Sequence, residues 1–406
     1  MDRRGFVAAS GASALAALVP APVVAGNLRQ PTGYLRTNWS HDPFSYGSYS
    51  FVAKGSRQRD RRRLEAPIDD RVYFAGEAVY PWYNSTVHSA HESGVRTAGF
   101  VAEAGHGSVA VIGAGMSGLS AAHAMTKAGA DVTVFEGRDR LGGRIWTSER
   151  LGVALDLGAS WIHGATNNPV NALAESAGQA RVETDGSHVS RGTGGRAIPD
   201  HDLPDWLQEV AEVQHTAGAG SDEINVSAYL LQDDYDGPEL VFPGGYAGVF
   251  DALAGDYAVR LGQSVRQVRW DDGGAWLALQ TGGELRFDAI VVTVPLGVLK
   301  RGDIAFVPGL PDSKQSAIGR LGMGTLDKVY LQFEAPFWDT DVTWITTPEN
   351  GLAPGYFNQW LNMYRFTGAP IILAFNGGPP ALELAQRSDA DLVQMASETL
   401  TKAYPF

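Results

Sequence analysis

Val109-Ala-Val-Ile-Gly-Ala-Gly-Met-Ser-Gly118 is the stretch that decides the fold of this 406-residue chain. An apolar, strand-like run leads straight into a Gly-x-Gly-x-x-Gly turn, and residues with helical spacing follow. Gly113 allows a tight turn, Gly115 allows a phosphate to approach the backbone, and Gly118 allows the helix to pack closely on its strand. The stretch therefore predicts the first β-α-β unit of a dinucleotide-binding α/β domain.

The sequence after this unit distinguishes between dinucleotides. The next strand ends in an acid, Val132-Thr-Val-Phe-Glu136, which can bind ribose hydroxyls and would repel the 2′-phosphate of NADP. Gly137-Arg-Asp-Arg-Leu-Gly-Gly-Arg144 then adds two glycines and an arginine suited to phosphate oxygens. This extended string favours FAD over NAD. The candidate cofactor residues within it are Gly113, Ala114, Gly115, Gly118, Glu136, Arg138, Gly143 and Arg144.

Composition and charge exclude several classes of protein. The 32 basic and 45 acidic residues give a net charge of −13, which argues against a nucleic-acid partner and is compatible with cationic ligands. The absence of cysteine excludes disulfides, thiolate metal sites and a cysteine-tethered flavin. His88 and His91 lack a third ligand, so no metal site is predicted. No apolar run is long enough to span a membrane.

Residues 1–26 have the composition of an export signal. Arg3-Arg4 precedes an apolar, alanine-rich stretch, and Val23-Val-Ala25 offers small residues for cleavage. We expect twin-arginine export to the periplasm or the extracellular medium. An amphipathic surface helix with two chance arginines is the alternative.

Local patterns assign parts of the remaining chain. Residues 57–63 hold five arginines and no apolar side chain, which predicts a solvated loop without a functional role. Residues 85–101 and 389–404 have helical spacing, whereas residues 265–294 alternate as strands with paired glycines at the turns.

Further motifs lie on both sides of the dinucleotide fingerprint. Gly158-Ala-Ser-Trp-Ile-His-Gly164, Val294-Pro-Leu-Gly-Val-Leu-Lys300 and Leu321-Gly-Met-Gly-Thr-Leu-Asp-Lys328 follow it. Phe74-Ala-Gly-Glu77 and Ser85-Thr-Val-His88 precede it. Together they resemble the flavin-containing amine oxidases across nearly the whole chain. Trp-Ile-His-Gly and Ser-Thr-Val-His favour the polyamine and spermine oxidase branch.

The resemblance implies an α/β fold with a Rossmann-type FAD-binding domain and an α+β substrate-binding domain, both discontinuous in sequence. After the signal, the implied order is a substrate-side segment at 27–65, FAD-binding segments at 66–167 and 241–300, and substrate segments at 168–240 and 301–406.

That order is a circular permutation, because the family carries the residues 30–88 segment near its C-terminus. The implied join lies at residues 98–108, where glycines could provide slack. A sequence-assembly error is the competing explanation. Either way the chain holds one copy of each required segment, so we expect a single active site.

The resemblance also implies a non-covalent FAD and further residues that contact it. They are Gly158, Ala159, Ser160, Trp161 and Trp39 near the flavin ring, Val265 at the adenine, Glu77 at the ribityl and phosphate region, and Thr86 and Val87 at the pyrimidine edge.

The implied reaction is amine oxidation: hydride passes from the amine α-carbon to flavin N5, the imine hydrolyses to an aldehyde, and O2 is reduced to H2O2. Lys328 would hold a water near N5, with a pKa lowered by desolvation. Tyr49 would form one aromatic wall, and Thr86 would leave the opposite side open. His163 would contact a distal amine or serve a structural role.

Two other functions remain open from the sequence. One is a monoamine or L-amino-acid oxidase on the same fold, and the other is a flavin-binding protein without oxidase activity. The partners expected are a small amine, most of all a polyamine, and O2. No oligomeric state is predicted.

Overall fold

The computed structural model describes residues 28–225 and 235–406, and the predicted export signal at residues 1–26 lies outside them. The strands of the described residues, β1 to β22 in chain order, are Gly33–Arg36, Tyr49–Phe51, Val72–Phe74, Ser108–Ile112, Asp131–Phe135, Thr147–Ser148, Leu155–Asp156, Trp161–Ile162, Val182–Glu183, His188–Ser190, Leu240–Val241, Ala258–Arg260, Val265–Asp271, Gly274–Leu279, Glu284–Phe287, Ala289–Val292, Ala305–Val307, Gly322–Gly324, Leu326–Gln332, Trp344–Thr346, Gln359–Asn362 and Ile371–Gly377. The α-helices, α1 to α10, are Gln58–Glu65, Val87–Glu103, Met116–Lys127, Pro169–Ser176, Trp206–Glu209, Leu296–Arg301, Asp312–Arg320, Tyr364–Thr367, Pro379–Leu384 and Asp389–Ala403. Short 3-10 segments lie at Trp39–His41, Thr193–Gly195, Asp200–Asp202 and Tyr246–Leu253, and Val210–His215 is π-helical.

A five-stranded sheet in the order β12-β5-β4-β16-β3 is parallel throughout. Successive side chains of β4 enter different cores: Val109 and Val111 pack with α2 and α3, whereas Ala110 and Ile112 pack with β13 and β14. Both faces of β4 are therefore buried, which explains why its sequence is a continuous apolar run. The α/β class predicted from the fingerprint is confirmed.

The N-terminal segment supplies an edge strand of this sheet. Strand β3 pairs with β16 in parallel, with Val72 opposite Ile290 and Phe74 opposite Val292. Three consecutive residues of β3 are buried. Residues far upstream of the fingerprint thus belong to the same sheet as the fingerprint itself.

A second, six-stranded sheet has the order β1-β19-β22-β21-β20-β10. Within β19, Val329 and Leu331 pack toward helix α10, whereas Tyr330 enters a different core with Leu155 and Phe375. Because side chains alternate along a strand, Lys328 projects to the same face as Tyr330. This alternation directs the lysine away from α10 and toward the aromatic residues described below.

The N-terminal segment also borders the strand that carries Lys328. Strand β1 pairs antiparallel with β19, placing Arg36 opposite Val329, and β2 pairs antiparallel with β18, placing Tyr49 opposite Gly324. These two pairings fix the distance between the predicted Tyr49 wall and the predicted catalytic lysine.

The prediction of a solvated loop at residues 57–63 is wrong, because most of the run forms helix α1. One face of α1, including Arg61 and Leu64, is buried. The Lys314 ammonium of α7 donates hydrogen bonds to the carbonyls of Leu64 (2.6 Å) and Ala66 (2.7 Å) at the helix end. A cation at a helix C-terminus is favourable, and this tertiary contact could not be inferred from the arginine run.

The predicted join at residues 98–108 is mostly regular structure. Helix α2 continues through Glu103, a turn with Gly105 at φ 73° follows, and β4 begins at Ser108. The irregular connecting segment expected along the whole stretch is therefore limited to residues 104–107. Within residues 28–225 and 235–406, no helix is long and apolar enough to cross a membrane.

Candidate active site

A cavity of about 1370 Å³ opens at the carboxyl ends of four parallel strands and reaches the six-stranded sheet. Its wall includes residues within three positions of the ends of β3, β4, β5 and β16, among them Glu77, Gly113, Glu136 and Thr293. Ligands of open α/β sheets bind at this edge. The predicted site residues that line the cavity are Trp39, Tyr49, Glu77, Thr86, Val87, Gly113, Gly115, Glu136, Arg138, Gly143, Arg144, Gly158, Ala159, Ser160, Trp161, His163, Val265 and Lys328.

Ala114 and Gly118 are the predicted contacts that do not line the cavity. The Ala114 N–H donates to the Glu136 carboxylate (2.7 Å). A Cβ on Gly118 would lie 2.0 Å from the Gly113 carbonyl oxygen, so only glycine fits there. Both residues therefore support the glycine turn without facing the cavity. Within this turn Gly113 has φ 109°, a backbone conformation that favours glycine.

Two glycine loops lie side by side along the cavity. Gly115 and Gly142 form a parallel bridge, and the Gly142 N–H donates to the Ala114 carbonyl (2.8 Å). Helix α3 begins at Met116, so its N-terminal turn faces the same space. Exposed backbone and a helix N-terminus are the features that bind a pyrophosphate.

Glu136 marks one end of the cavity. Its two carboxylate oxygens accept hydrogen bonds from the N–H groups of Ala114 and Arg138 (2.7 and 2.8 Å), which holds the side chain in one orientation. Each oxygen can still accept a hydrogen bond from a hydroxyl group. The Arg138 guanidinium, in contrast, is paired with Asp42 through two hydrogen bonds of 2.9 and 2.6 Å.

Arg144, which is partly exposed, forms an ion pair at the cavity wall with the buried Glu77, with 2.8 Å between Nη1 and Oε1. Burial opposes the charge on Glu77, but Arg144 and Arg61 outweigh it and hold the pKa of Glu77 below its ordinary value. The same Arg144 nitrogen also donates to the Ser48 carbonyl (3.0 Å). Arg144 is thus tied to the N-terminal segment, a contact that the sequence did not predict.

Lys328 lies at the other end of the cavity and is 4% exposed. Its Nζ donates to the carbonyls of Asp156 (2.7 Å) and Gly158 (2.6 Å) and to the Ser160 hydroxyl (2.5 Å). Burial lowers the pKa of Lys328, and the negative charge of Asp156 moderates that shift. The lysine can therefore lose a proton at a lower pH than an exposed lysine.

Asp156 is a buried acid of the site that the sequence reasoning missed. Its carboxylate accepts from the Thr147 hydroxyl (2.6 Å) and the Tyr246 N–H (3.0 Å). Burial raises the pKa of Asp156, and these hydrogen bonds and the charge of Lys328 oppose the increase. Its place two residues before the Gly158-Ala-Ser motif was the available signal.

Aromatic rings surround the lysine. The Lys328 Nζ lies 5.9 Å from the ring centroids of both Trp161 and Phe375. Trp344 stacks on Trp161 at 6.0 Å and lies 6.2 Å from Phe375. Aromatic faces attract ammonium groups. The sequence reasoning missed Trp344 and Phe375 because they lie outside every recognised motif.

Tyr49 is held by the π-helical segment across the cavity. Its hydroxyl donates to the carbonyl of His215, and the His215 ring lies 6.1 Å from Phe375. Burial lowers the pKa of His215 to about 4, so its imidazole is neutral at physiological pH. Nδ1 lies 2.6 Å from the Gln359 amide oxygen and therefore carries the proton.

Thr86 caps helix α2 by accepting a hydrogen bond from the Ser89 N–H (3.2 Å). Thr86 lines the cavity and carries no ring, so it supplies no aromatic wall there. The Trp161, Trp344 and Phe375 rings line the lysine side instead.

His163 and Glu239 form a pair at the cavity wall. His163 Nδ1 lies 2.6 Å from a Glu239 oxygen, and both side chains are about half exposed. The Gly164 N–H also donates to Glu239 (3.0 Å). The His163 ring stacks on Trp161 at 6.4 Å, which connects this pair to the lysine end through one indole.

These residues fit FAD. The adjacent glycine loops would cradle the pyrophosphate, Glu136 would hold the ribose, and the space continues past Arg144 to Lys328 and its aromatic neighbours. No group of acids and histidines in the described part of the chain could hold a metal ion.

Comparison with known proteins agrees with this geometry. The family model for flavin containing amine oxidoreductase matches residues 13–102, 116–210 and 216–406. Polyamine oxidase 4 of Oryza sativa subsp. japonica is 30% identical over 363 residues, covering 73% of each chain. Lysine-specific histone demethylase 1 homolog 1 of the same plant is 29% identical over 364 residues, covering 73% of this chain and 42% of that protein.

Solved structures share the fold. Putrescine oxidase bound to putrescine has a TM-score of 0.57 at 19% identity, covering 73% of this chain and 82% of that one. Cyclohexylamine oxidase from Brevibacterium oxydans IH-35A has a TM-score of 0.57 at 21% identity, covering 74% and 81%. The chain belongs to the flavin-containing amine oxidoreductase family, with FAD as its cofactor.

Proposed function

We propose that this protein oxidises polyamines. The observation that carries the proposal is the placement of Trp161, whose ring lies 5.9 Å from the Lys328 ammonium and 6.4 Å from the His163 ring. A polyamine carries several ammonium groups, so one amine can react near Lys328 while another meets the His163–Glu239 pair. The polyamine oxidases among the relatives support this substrate class.

The reaction is amine plus O2 and water giving an aldehyde, a shorter amine and H2O2. FAD supplies the two-electron acceptor for this chemistry. Trp161, Phe375 and Tyr49 orient the amine by their aromatic faces and keep water from the reacting carbon. Lys328, whose pKa is lowered by burial, can give up a proton at Nζ, and the neutral amine can then accept a hydrogen bond from a water.

An oxidase of amino acids is the weaker alternative, because it needs a cation for the substrate carboxylate. Among the described residues, the arginines that line the cavity are Arg138 and Arg144, and both are paired with acids. Arg365 lies near the wall but is paired with Asp185 (3.1 Å). The acid of Glu239 would also repel a carboxylate. A monoamine oxidase or an inactive flavoprotein remains for the experiments below to exclude.

We also propose that the chain is circularly permuted, with a Rossmann-type FAD domain and a separate substrate domain. The Arg29 N–H donates to the Thr401 hydroxyl (3.1 Å), and its Nε donates to the Tyr404 carbonyl (3.0 Å). Residue 29 thus lies where helix α10 ends.

The third proposal concerns residues 1–26, for which we propose twin-arginine export. This route transports folded proteins, which suits an enzyme that binds its cofactor before leaving the cytoplasm. The support is the Arg3-Arg4 pair and the apolar stretch after it.

Replacing Lys328 with methionine should leave FAD bound but slow flavin reduction by an amine, or its reoxidation by O2, at least tenfold (about 1.4 kcal/mol). Methionine keeps the apolar stem and removes the proton-handling group. Stopped-flow absorbance measures both half-reactions. Lys402→Met, outside the cavity, is the control, and unchanged half-reactions in Lys328→Met would remove this lysine from the mechanism.

Replacing Glu239 with glutamine should lower kcat/KM for both amines, but about fivefold more for a triamine than for a monoamine of equal length. This ratio corresponds to roughly 1 kcal/mol, the size expected for an ion pair with a half-exposed charge. The difference arises because only the triamine has a second ammonium for the carboxylate. Peroxide release across both substrates measures it, with the exposed Glu349→Gln as the matched control. Equal losses for both amines, or a wild-type preference for the monoamine, would contradict the polyamine proposal.

The permutation can be tested by reversing it. A chain that begins at residue 107 and runs from residue 406 directly into residue 28 should bind FAD within threefold of the original affinity, because Arg29 already contacts Tyr404 and the Phe406 ring. Flavin fluorescence and circular dichroism measure the result. A control opened within β19, between residues 329 and 330, should not fold. Failure of the first chain alone would contradict the permutation.

Export can be tested with Arg3→Lys/Arg4→Lys. The variant should accumulate in the cytoplasm with its first residues uncleaved, whereas an Asp2→Asn control should be exported. Cell fractionation and mass spectrometry of the N-terminus distinguish the two, and normal export of the double variant would refute the twin-arginine route.

A further inference from the structure

The arginine run at residues 57–63 divides into two environments. Arg57, Arg59, Arg62 and Arg63 are exposed, whereas Arg61 is 0% exposed. A guanidinium rarely leaves water unless its donors find partners, because an unpaired buried charge costs several kcal/mol. The partners of Arg61 therefore indicate why this one arginine is inside.

Those partners are hydrogen-bond acceptors around Glu77. Arg61 Nη1 donates to the Ser50 hydroxyl (2.8 Å) and the Ala78 carbonyl (2.8 Å), and Nη2 donates to the Asn84 amide oxygen (2.7 Å). The Ser50 hydroxyl in turn donates to Glu77 (2.5 Å). One side chain thus connects β2, the residue after Glu77 and the turn before α2.

The turn before α2 is held to the same carboxylate. The Ser85 N–H donates to Glu77 (3.0 Å), and Ser85 has φ 70°, which is unusual for a residue other than glycine. Asn84, Ser85, Thr86 and Val87 all line the cavity. Arg61 is not among the lining residues and lies behind them.

The charges form an alternating row. Glu77 lies between Arg144, which lines the cavity, and Arg61, which does not. Arg61 therefore compensates part of the negative charge of Glu77, which would otherwise be balanced by Arg144 alone.

We infer that Arg61 is a positioning residue of the flavin site, which orients the Glu77 carboxylate and the 84–87 turn without touching the cofactor. The inference depends on FAD binding and is independent of the amine that is oxidised. It gives a role to the one buried member of the arginine run.

Replacing Arg61 with glutamine should raise the dissociation constant of FAD at least tenfold, measured by flavin fluorescence as the holoprotein is diluted. Arg61→Lys keeps the charge and should recover part of the affinity. Arg62→Gln, the adjacent exposed arginine, is the matched control and should stay within twofold. Equal affinities of the Arg61→Gln and Arg62→Gln proteins would overturn the inference.

The pH dependence separates positioning from a general loss of stability. Two nearby cations hold the pKa of Glu77 below its ordinary value in the wild type, so its charge persists as the pH falls. Without Arg61 that pKa should rise, so Glu77 should become protonated at a higher pH. A protonated Glu77 holds the Ser50 and Ser85 donors less firmly, so FAD should be released from Arg61→Gln at a higher pH than from the wild type. The shift should vanish in Arg61→Gln/Glu77→Gln, because no carboxyl remains to titrate. A shift that persists in the double variant would overturn the inference.

Thermal unfolding of each variant shows whether it has folded. If Arg61→Gln does not fold, Asn84→Ala removes one acceptor of Arg61 while every charge remains. This variant should weaken FAD binding about threefold. Wild-type affinity in Asn84→Ala would then overturn the inference.

Discussion

The antiparallel pairing of β1 with β19 is the constraint on which the site depends. It places Arg36 opposite Val329 and so brings the N-terminal segment against the strand of Lys328. The neighbouring β2–β18 pair positions Tyr49 in the same way. Since register in a sheet is fixed residue by residue, a slip of one position would turn Lys328 from the cavity toward α10. The reactive end of the cavity is therefore set by pairing between segments that are distant in sequence.

Each buried charge of the site is balanced by an opposite charge or by hydrogen-bond partners. Lys328 is satisfied by the carbonyls of Asp156 and Gly158, and Glu77 is satisfied by Arg144 and hydrogen bonds from Ser50. A buried ion that loses its partner costs more than the pair contributes, so each group is sensitive to single substitutions. The same burial shifts the pKa values of these groups, and a lysine that can lose its proton near neutral pH is a consequence of this packing.

The predictable part of the site is the part encoded locally. A glycine turn and the acid that follows its second strand are within one β-α-β unit, so the sequence alone is enough to assign Gly113, Gly115 and Glu136. Arg61, Asp156 and Glu239 could not be assigned in this way, because their partners lie in other segments. Arg61 shows this most clearly. The arginine run around it predicted a solvent-exposed loop, but helix α1 buries one face against α7 and the 84–87 turn. A run of charged residues in the sequence therefore does not show which of them are buried, because tertiary packing decides that.

A site built from pairings rather than from chain order is consistent with the circular permutation that we propose. The β3 edge strand needs only its neighbour β16, and β1 needs only β19. Neither pairing specifies whether the paired segment comes first or last, provided that the connecting turns remain on the surface. At one connection, helix α2 reaches β4 through residues 104–107, and at the other, Arg29 contacts Thr401 and Tyr404. The cofactor cavity is therefore compatible with either order, because the β3–β16 and β1–β19 pairs that border it have both partners present in each.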